Sequence, residues 1–248
     1  MIEGKIIHEV IEGRQIIIYL PPDYEKESKP LPVVYVHDGK ELEQLMDRVM
    51  QEIEEEFDKT GKSSFIVVGI YAKERIHEYT PWPAKALNPR FEDFKGQGEA
   101  YLDWITDKLM PYIDSNYKAS QASSHKAIMG YSLGGLISVY AGFMRPCFAK
   151  IVSLSGSFWY EKMVDFVRAQ ELVNEEVQIY MSYGLKEGQG KKSLQAEVTK
   201  CSEIIRDILR EKLDDKQLLE VYTDDGGHHD YRVVRYQNAF KWLSSQFK

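Results

Sequence analysis

Cysteine is scarce. The 248 residues hold only Cys147 and Cys201, and no C-x-x-C pair, which leaves no zinc knuckle and no dithiol redox motif. Both are expected as packed, reduced thiols. No apolar run approaches the ~18 residues of a membrane-spanning helix, so no membrane span is expected. The opening Met1-Ile2-Glu3-Gly4-Lys5 lacks a basic stretch followed by a long apolar one. No secretory leader is expected from it, and a soluble cytoplasmic location is the default. Positive charge is in deficit: 32 Lys and Arg stand against 39 Asp and Glu, a net charge of −7 that suits nucleic-acid phosphates poorly. The longest acidic run, Glu54-Glu55-Glu56, reads as a solvated helix face. Repeats and low-complexity linkers are missing, so residues 1–248 are expected to form one domain. There is no H-E-x-x-H motif, and the adjacent side chains of His228-His229-Asp230 converge poorly on one ion, so neither a metal nor a cofactor is expected.

What is present alternates in period. Ile6–Ile11 and Arg14–Leu20 read as strands of a hairpin turning at Glu12-Gly13. Leu31–Val36 and Phe65–Ile70 are short apolar runs of the kind buried inside a sheet. Between them Leu42, Leu45, Met46, Val49, Met50, Ile53 and Phe57 recur at helical spacing. Tyr71–Gln97 follows neither period, and carries Tyr79, Trp82, Phe91 and Phe94; it reads as a long, ordered, functional loop. A helix is expected from Gly98 to Asn116, then a strand at His125–Met129. Further strands are expected at Lys150–Leu154, Val177–Tyr183 and Gln217–Tyr222, with helices over Leu194–Lys212 and Tyr236–Phe247. Strands alternating with helices predict an α/β fold: a mainly parallel central sheet, antiparallel at its N-terminal edge, with helices on both faces.

One motif dominates. Gly130-Tyr131-Ser132-Leu133-Gly134 fits G-x-S-x-G, preceded by a predicted strand and followed by apolar residues at helical spacing. Strand, tight turn and helix form the context of a serine nucleophile elbow. A serine hydroxyl needs a base, and the base needs an orienting acceptor. In this architecture the chain order is Ser, acid, His, and the histidines after Ser132 are His228 and His229. The acid should follow a strand between them. Glu187 is the first carboxylate after Val177–Tyr183, with Asp165, Asp224 and Asp225 as alternatives. Oxyanion donors are expected from the amide of Leu133 and from the loop His37-Asp38-Gly39-Lys40, at Gly39 or Lys40. Ser132, Glu187, His229 and the His37-Asp38-Gly39 segment each lie just after a predicted strand, where ligands of open α/β sheets bind.

The chain resembles the esterases of the α/β-hydrolase superfamily that include esterase D-like, feruloyl esterase-like and enterochelin esterase-like enzymes. The resemblance is carried by Tyr35-Val36-His37-Asp38-Gly39, Glu78-Tyr79-Thr80-Pro81, Gly96–Leu102, Pro111-Tyr112-Ile113-Asp114, the elbow with Gly135, Ser155-Gly156-Ser157-Phe158-Trp159 and Gly226–Asp230. It implies an α/β-hydrolase fold. It also implies His229, which precedes Asp230, as the base, and Glu187, three residues past Gly184, as the acid. By the same resemblance Arg75, Tyr79, Trp82 and Trp159 border the substrate, with core packing the alternative for Tyr79 and Trp159.

The expected activity is hydrolysis of a small-molecule carboxylic ester, with Ser132, His229 and Glu187 as the triad, the Leu133 and Gly39 amides as oxyanion donors, and an acyl-enzyme intermediate. Acyl transfer by the same nucleophile, hydrolysis of a siderophore trilactone, and a non-catalytic binding domain are the alternatives.

Overall fold

The computed structural model describes residues 2–60, 64–213, 215 and 218–247. Met1, and Gln217 at the expected head of the last strand, lie outside the described residues.

Eight strands form one sheet: β1 (Lys5–Ile11), β2 (Arg14–Leu20), β3 (Val33–His37), β4 (Ile66–Ile70), β5 (Lys126–Tyr131), β6 (Lys150–Leu154), β7 (Gln178–Gly184) and β8 (Leu219–Asp224). Their order is β1-β2-β4-β3-β5-β6-β7-β8. The pairs β1–β2 and β2–β4 are antiparallel, and every other pairing is parallel. The β1–β2 hairpin turns at Glu12 and Gly13, both with positive φ. Parallel strands covered on both faces need apolar residues at nearly every position. All five residues of β3 and all six of β5 are buried.

The two-residue pleat sorts these side chains onto opposite faces. Val34, Val36, Val67, Met129 and Val152 pack with α1 (Gly39–Thr60) and with Tyr236, Phe240 and Leu243 of the last helix. Val33, Tyr35, Val68 and Ile128 face the other helices. In chain order these are α2 (Arg75–Glu78), α3 (Gly98–Trp104), α4 (Met110–Asn116), α5 (Leu133–Met144), α6 (Met163–Ala169) and α7 (Val198–Lys212); α8 (Arg232–Gln246) closes the chain against α1.

The structure refines the expectations at several points. The helix expected over Gly98–Asn116 is interrupted by a π-helical stretch at Ile105–Leu109. The long loop holds α2, whose four residues are too few to register a period. Leu194–Glu197 is a 3₁₀ turn leading into α7. The acidic run is not wholly a solvated face. Glu54 is buried and accepts hydrogen bonds from the amides of Glu3 and Gly4 and from the Tyr19 hydroxyl, each at 2.8 Å. Glu54 lies four residues after Met50 and one after Ile53, on the apolar stripe of α1. Cys147 and Cys201 are half-buried free thiols. No helix among the described residues is long and apolar enough to cross a membrane.

At the end of α1 the fully buried Phe65 sits among three rings, those of Phe57, Phe240 and Phe247, at centroid distances of 5.3, 5.7 and 5.9 Å. Its removal would leave a cavity joining β4, α1 and α8. Phe65→Ala should lower unfolding free energy by about 3–5 kcal/mol, read as a shift of the urea midpoint at unchanged slope.

Candidate active site

The C-terminal ends of β3, β5, β7 and β8 converge on one rim of the sheet. At β5 the chain turns abruptly. Ser132 has φ 61° and ψ −118°, a conformation costly for a residue with a Cβ. Three hydrogen bonds hold it there: its amide donates to Leu154 O at 2.9 Å, and its carbonyl accepts from the amides of Leu136 and Ser157, both at 3.0 Å. The turn also requires close backbone approach. A Cβ on Gly130 would fall 2.6 Å from the carbonyl carbon of Gly134. Leu133 is the first residue of α5, so its amide has no partner inside the helix and points out of the positive end of the helix dipole.

Ser132 Oγ lies 3.1 Å from His228 Nε2, and His228 Nδ1 lies 2.8 Å from Glu187 Oε2. The imidazole on the serine is therefore that of His228, and the expectation of His229 is corrected. The reason is backbone geometry. Gly227–Asp230 forms a tight turn, closed by the Gly227 amide donating to Asp230 Oδ2 at 2.8 Å. Neighbouring side chains on a turn diverge, so one of the two rings can face Ser132. The Tyr131 hydroxyl holds the His228 carbonyl and Arg235 holds the Gly227 carbonyl, which fixes residue 228 inward. His229 packs against the His228 ring at a centroid distance of 5.0 Å and is otherwise exposed. Partial burial, then the neighbouring His228 ring and the charges of Arg232 and Lys191, keep the His229 pKa below the usual histidine value.

Glu187 is the acid that meets the histidine; Asp224 instead pairs with Arg235. Burial of the Glu187 carboxylate disfavours its charge, but hydrogen bonds from His228, the Gly184 amide and the Ser155 hydroxyl outweigh that cost and hold its pKa below the ordinary 4.5. Those donors sit at 2.8 Å each. An ionised carboxylate only accepts, so Nδ1 carries the proton and Nε2 is left to accept from Ser132.

Arg235, which the sequence reading missed, ties these parts together. Its side chain has 0% exposure. It binds Asp224 through two nitrogens at 2.7 and 2.8 Å, Glu187 Oε1 at 3.1 Å and the Tyr131 hydroxyl at 3.1 Å, and it also donates to Ser155 Oγ. Burial opposes its charge, but Asp224, Tyr131 and Glu187 raise its pKa further. The signal was present: Arg235, Ala239 and Leu243 are spaced by four, so the guanidinium falls on the buried stripe of α8.

Arg75 also reaches the rim. Its helix is anchored by a buried bidentate pair, Glu78 with Arg14 of β2 at 2.7 and 2.9 Å. Arg75 in turn grips Asp38 through Nε at 2.7 Å and Nη2 at 2.8 Å. Burial raises the Asp38 pKa against the pull of that guanidinium. His37 is fully buried, its Nδ1 2.8 Å from the Tyr101 hydroxyl, and burial followed by the Arg75 charge takes its pKa down to about 3, so it stays neutral.

Ser132 stands where two cavities meet. The wider, about 640 Å³, is walled by Arg75, Phe91, Phe94, Leu133 and Trp159 among others. The narrower, about 220 Å³, includes Lys186, Lys191, His228 and His229. Of the residues expected at the substrate, Arg75 and Trp159 line this space. Tyr79 does not: it is fully buried, and its hydroxyl accepts from the Asp38 amide at 2.9 Å. Trp82 does not either: it packs on Tyr140, Tyr160 and Phe166 and donates from Nε1 to Glu161 O. Gly39 lies outside both walls, at the start of α1 and packed against Gly69 and Tyr71.

This arrangement can be set beside known proteins. The Putative esterase family profile matches residues 8–244. The chain belongs to that family. It is a carboxylic ester hydrolase of the α/β-hydrolase fold. Over 244 residues it is 34% identical to the uncharacterized protein YbbA of Bacillus subtilis, covering 97% of this chain and 96% of that one. Among solved structures it resembles an IroE-like serine hydrolase of Shewanella oneidensis, with TM-score 0.77, 21% identity and coverage of 98% and 80% of the two chains. It also resembles the enterobactin esterase FES of Shigella flexneri, with TM-score 0.75, 20% identity and coverage of 99% and 58%.

The buried network has a pH signature. Because the folded-state pKa of Glu187 is depressed, its ionisation favours folding; that contribution is complete above its ordinary 4.5 and disappears as pH falls through the lower folded value. Glu187→Gln should flatten the fall in stability below about pH 4.5. Arg235→Met, which strands two buried carboxylates, should cost about 3–5 kcal/mol at neutral pH. Urea denaturation across a pH series measures both.

Proposed function

We propose that this esterase works through Ser132, His228 and Glu187 and an acyl-enzyme intermediate. The observation that carries the reading is the continuous line of contacts, 3.1 Å from Ser132 Oγ to His228 Nε2 and 2.8 Å from His228 Nδ1 to Glu187 Oε2. Serine attacks the ester carbonyl while its proton passes to Nε2. The Leu133 amide, at the N-terminus of α5, donates to the oxyanion that forms. The carbon–oxygen bond to the alcohol then breaks, and the alkoxide takes the proton from Nε2. Water enters, gives a proton to Nε2 and attacks the acyl-enzyme. Collapse releases the acid and returns the proton to Ser132. Glu187 holds the imidazole in the required tautomer and offsets its charge while it is protonated.

Enterobactin esterase among the structural relatives brings siderophore esters within this reading. A wide cavity walled by Phe91, Phe94 and Trp159 suits an acyl group with a large apolar surface.

The two neighbouring histidines make a sharp test. Ser132→Ala and His228→Ala should each reduce kcat on p-nitrophenyl esters by about 10⁴–10⁶-fold. His229→Ala should keep at least about a tenth of native turnover, since its ring does not take the proton. Fluorophosphonate labelling should be lost in Ser132→Ala. Full activity in His228→Ala with loss in His229→Ala would overturn the assignment.

A further inference from the structure

The two cavities differ in wall, size and charge, and the proposed proton path decides which half of an ester enters each. Leu133, whose amide would hold the oxyanion, lines the wider cavity and not the narrower. His228, whose Nε2 would deliver a proton to the departing oxygen, lines the narrower and not the wider. General acid catalysis requires the leaving oxygen within about 3 Å of the donor, so the alcohol must leave on the His228 side. The remaining substituent of the tetrahedral carbon, the acyl chain, is then directed to the opposite side of Ser132.

We infer that the acyl half of the ester occupies the wider, aromatic cavity and the alcohol half the narrower one, and that this alcohol is short, hydrophilic and negatively charged. The inference rests on the esterase mechanism proposed above. Size supports it: about 640 Å³ falls within the ~300–1,000 Å³ of pockets that hold sizeable ligands, and about 220 Å³ falls below it. Charge supports it too. The narrower cavity has Lys186 and Lys191 in its wall and no Asp or Glu, although the chain as a whole carries −7. The Lys186 ammonium is solvated and 3.8 Å from Asp225, an arrangement too loose to neutralise it. Lys191 stands on the same wall as Lys186, so two ammonium groups face the space beside His228 and His229. In the wider cavity the guanidinium of Arg75 is already gripped by Asp38, the charge of Lys192 is matched by Glu92 on the same wall, and Phe91 and Phe94 supply apolar surface; Trp159 borders both cavities.

The test is a set of esters of two acids, acetic and phenylbutyric, with three alcohols: β-hydroxypropionate, its neutral amide, and phenylpropanol. Values of kcat/KM are compared for the native protein, for Lys186→Met/Lys191→Met and for Ser132→Ala. Phenylbutyryl esters of the short alcohols should be the best substrates and phenylpropyl acetate the poorest. The anionic alcohol should be favoured over its amide by about five- to tenfold, a preference that falls with added salt and approaches one in the double lysine variant. Faster turnover of phenylpropyl acetate would overturn the assignment of sides. Equal rates for the anionic and neutral alcohols, or a charge preference that survives in the double variant, would overturn the assignment of charge. Native-rate hydrolysis by Ser132→Ala would instead remove the underlying mechanism, and the inference with it.

Discussion

The buried guanidinium of Arg235 is the interaction on which the rim of this sheet depends. Taking an arginine wholly out of water costs several kcal/mol before its partners are counted, so the ion pairs with Asp224 and Glu187 are weak evidence of stability in themselves. Their effect is positional. Asp224 ends β8, Glu187 follows β7, Tyr131 ends β5 and Ser155 follows β6, so one side chain from α8 ties together four loops that the sheet only brings near one another. Because Arg235 also holds the Gly227 carbonyl, the loop carrying the histidine is pinned to the residue that orients it.

Strain and close contact complete the arrangement. Ser132 keeps an unfavourable backbone conformation because the backbones of Leu154, Leu136 and Ser157 all bond to it. On the opposite side, the loops after β7 and β8 interlock. The amides of Leu185 and Lys186 donate to Asp224 O and Gly226 O, and a Cβ on Gly184 would fall 2.1 Å from Gly226 O. These backbone contacts at the rim hold the loops that carry Ser132, Glu187 and His228 beside one another.

The residue pattern carried the sheet well, because strands covered on both faces must be apolar at nearly every position. Val33–His37, Ile66–Ile70 and Lys150–Leu154 announce themselves in that way. The elbow was legible because it is local: strand, Gly-flanked turn and helix follow one another in the chain. His228 and His229 were not separable on those grounds. Their choice is made by Tyr131 and Arg235, one of them 97 residues away in sequence. Tyr79 and Trp82 sit in an aromatic loop, and only tertiary packing shows that their rings serve the core while Phe91, Phe94 and Trp159 line the cavity. Glu54 and Arg235 were readable in hindsight. Each is a charged residue on an apolar helical stripe, a position that calls for buried partners.

In the proposed triad Glu187 fixes His228 as the tautomer whose Nε2 faces Ser132. The most direct measurement is the NMR spectrum of histidine-¹⁵N-labelled protein at neutral pH. A strongly downfield Nδ1–H proton assigned to His228 is expected, absent in His228→Ala and displaced upfield in Glu187→Gln, with the His229 signals little changed. A downfield proton belonging to His229, or a His228 ring protonated at Nε2 and free at Nδ1, would contradict it.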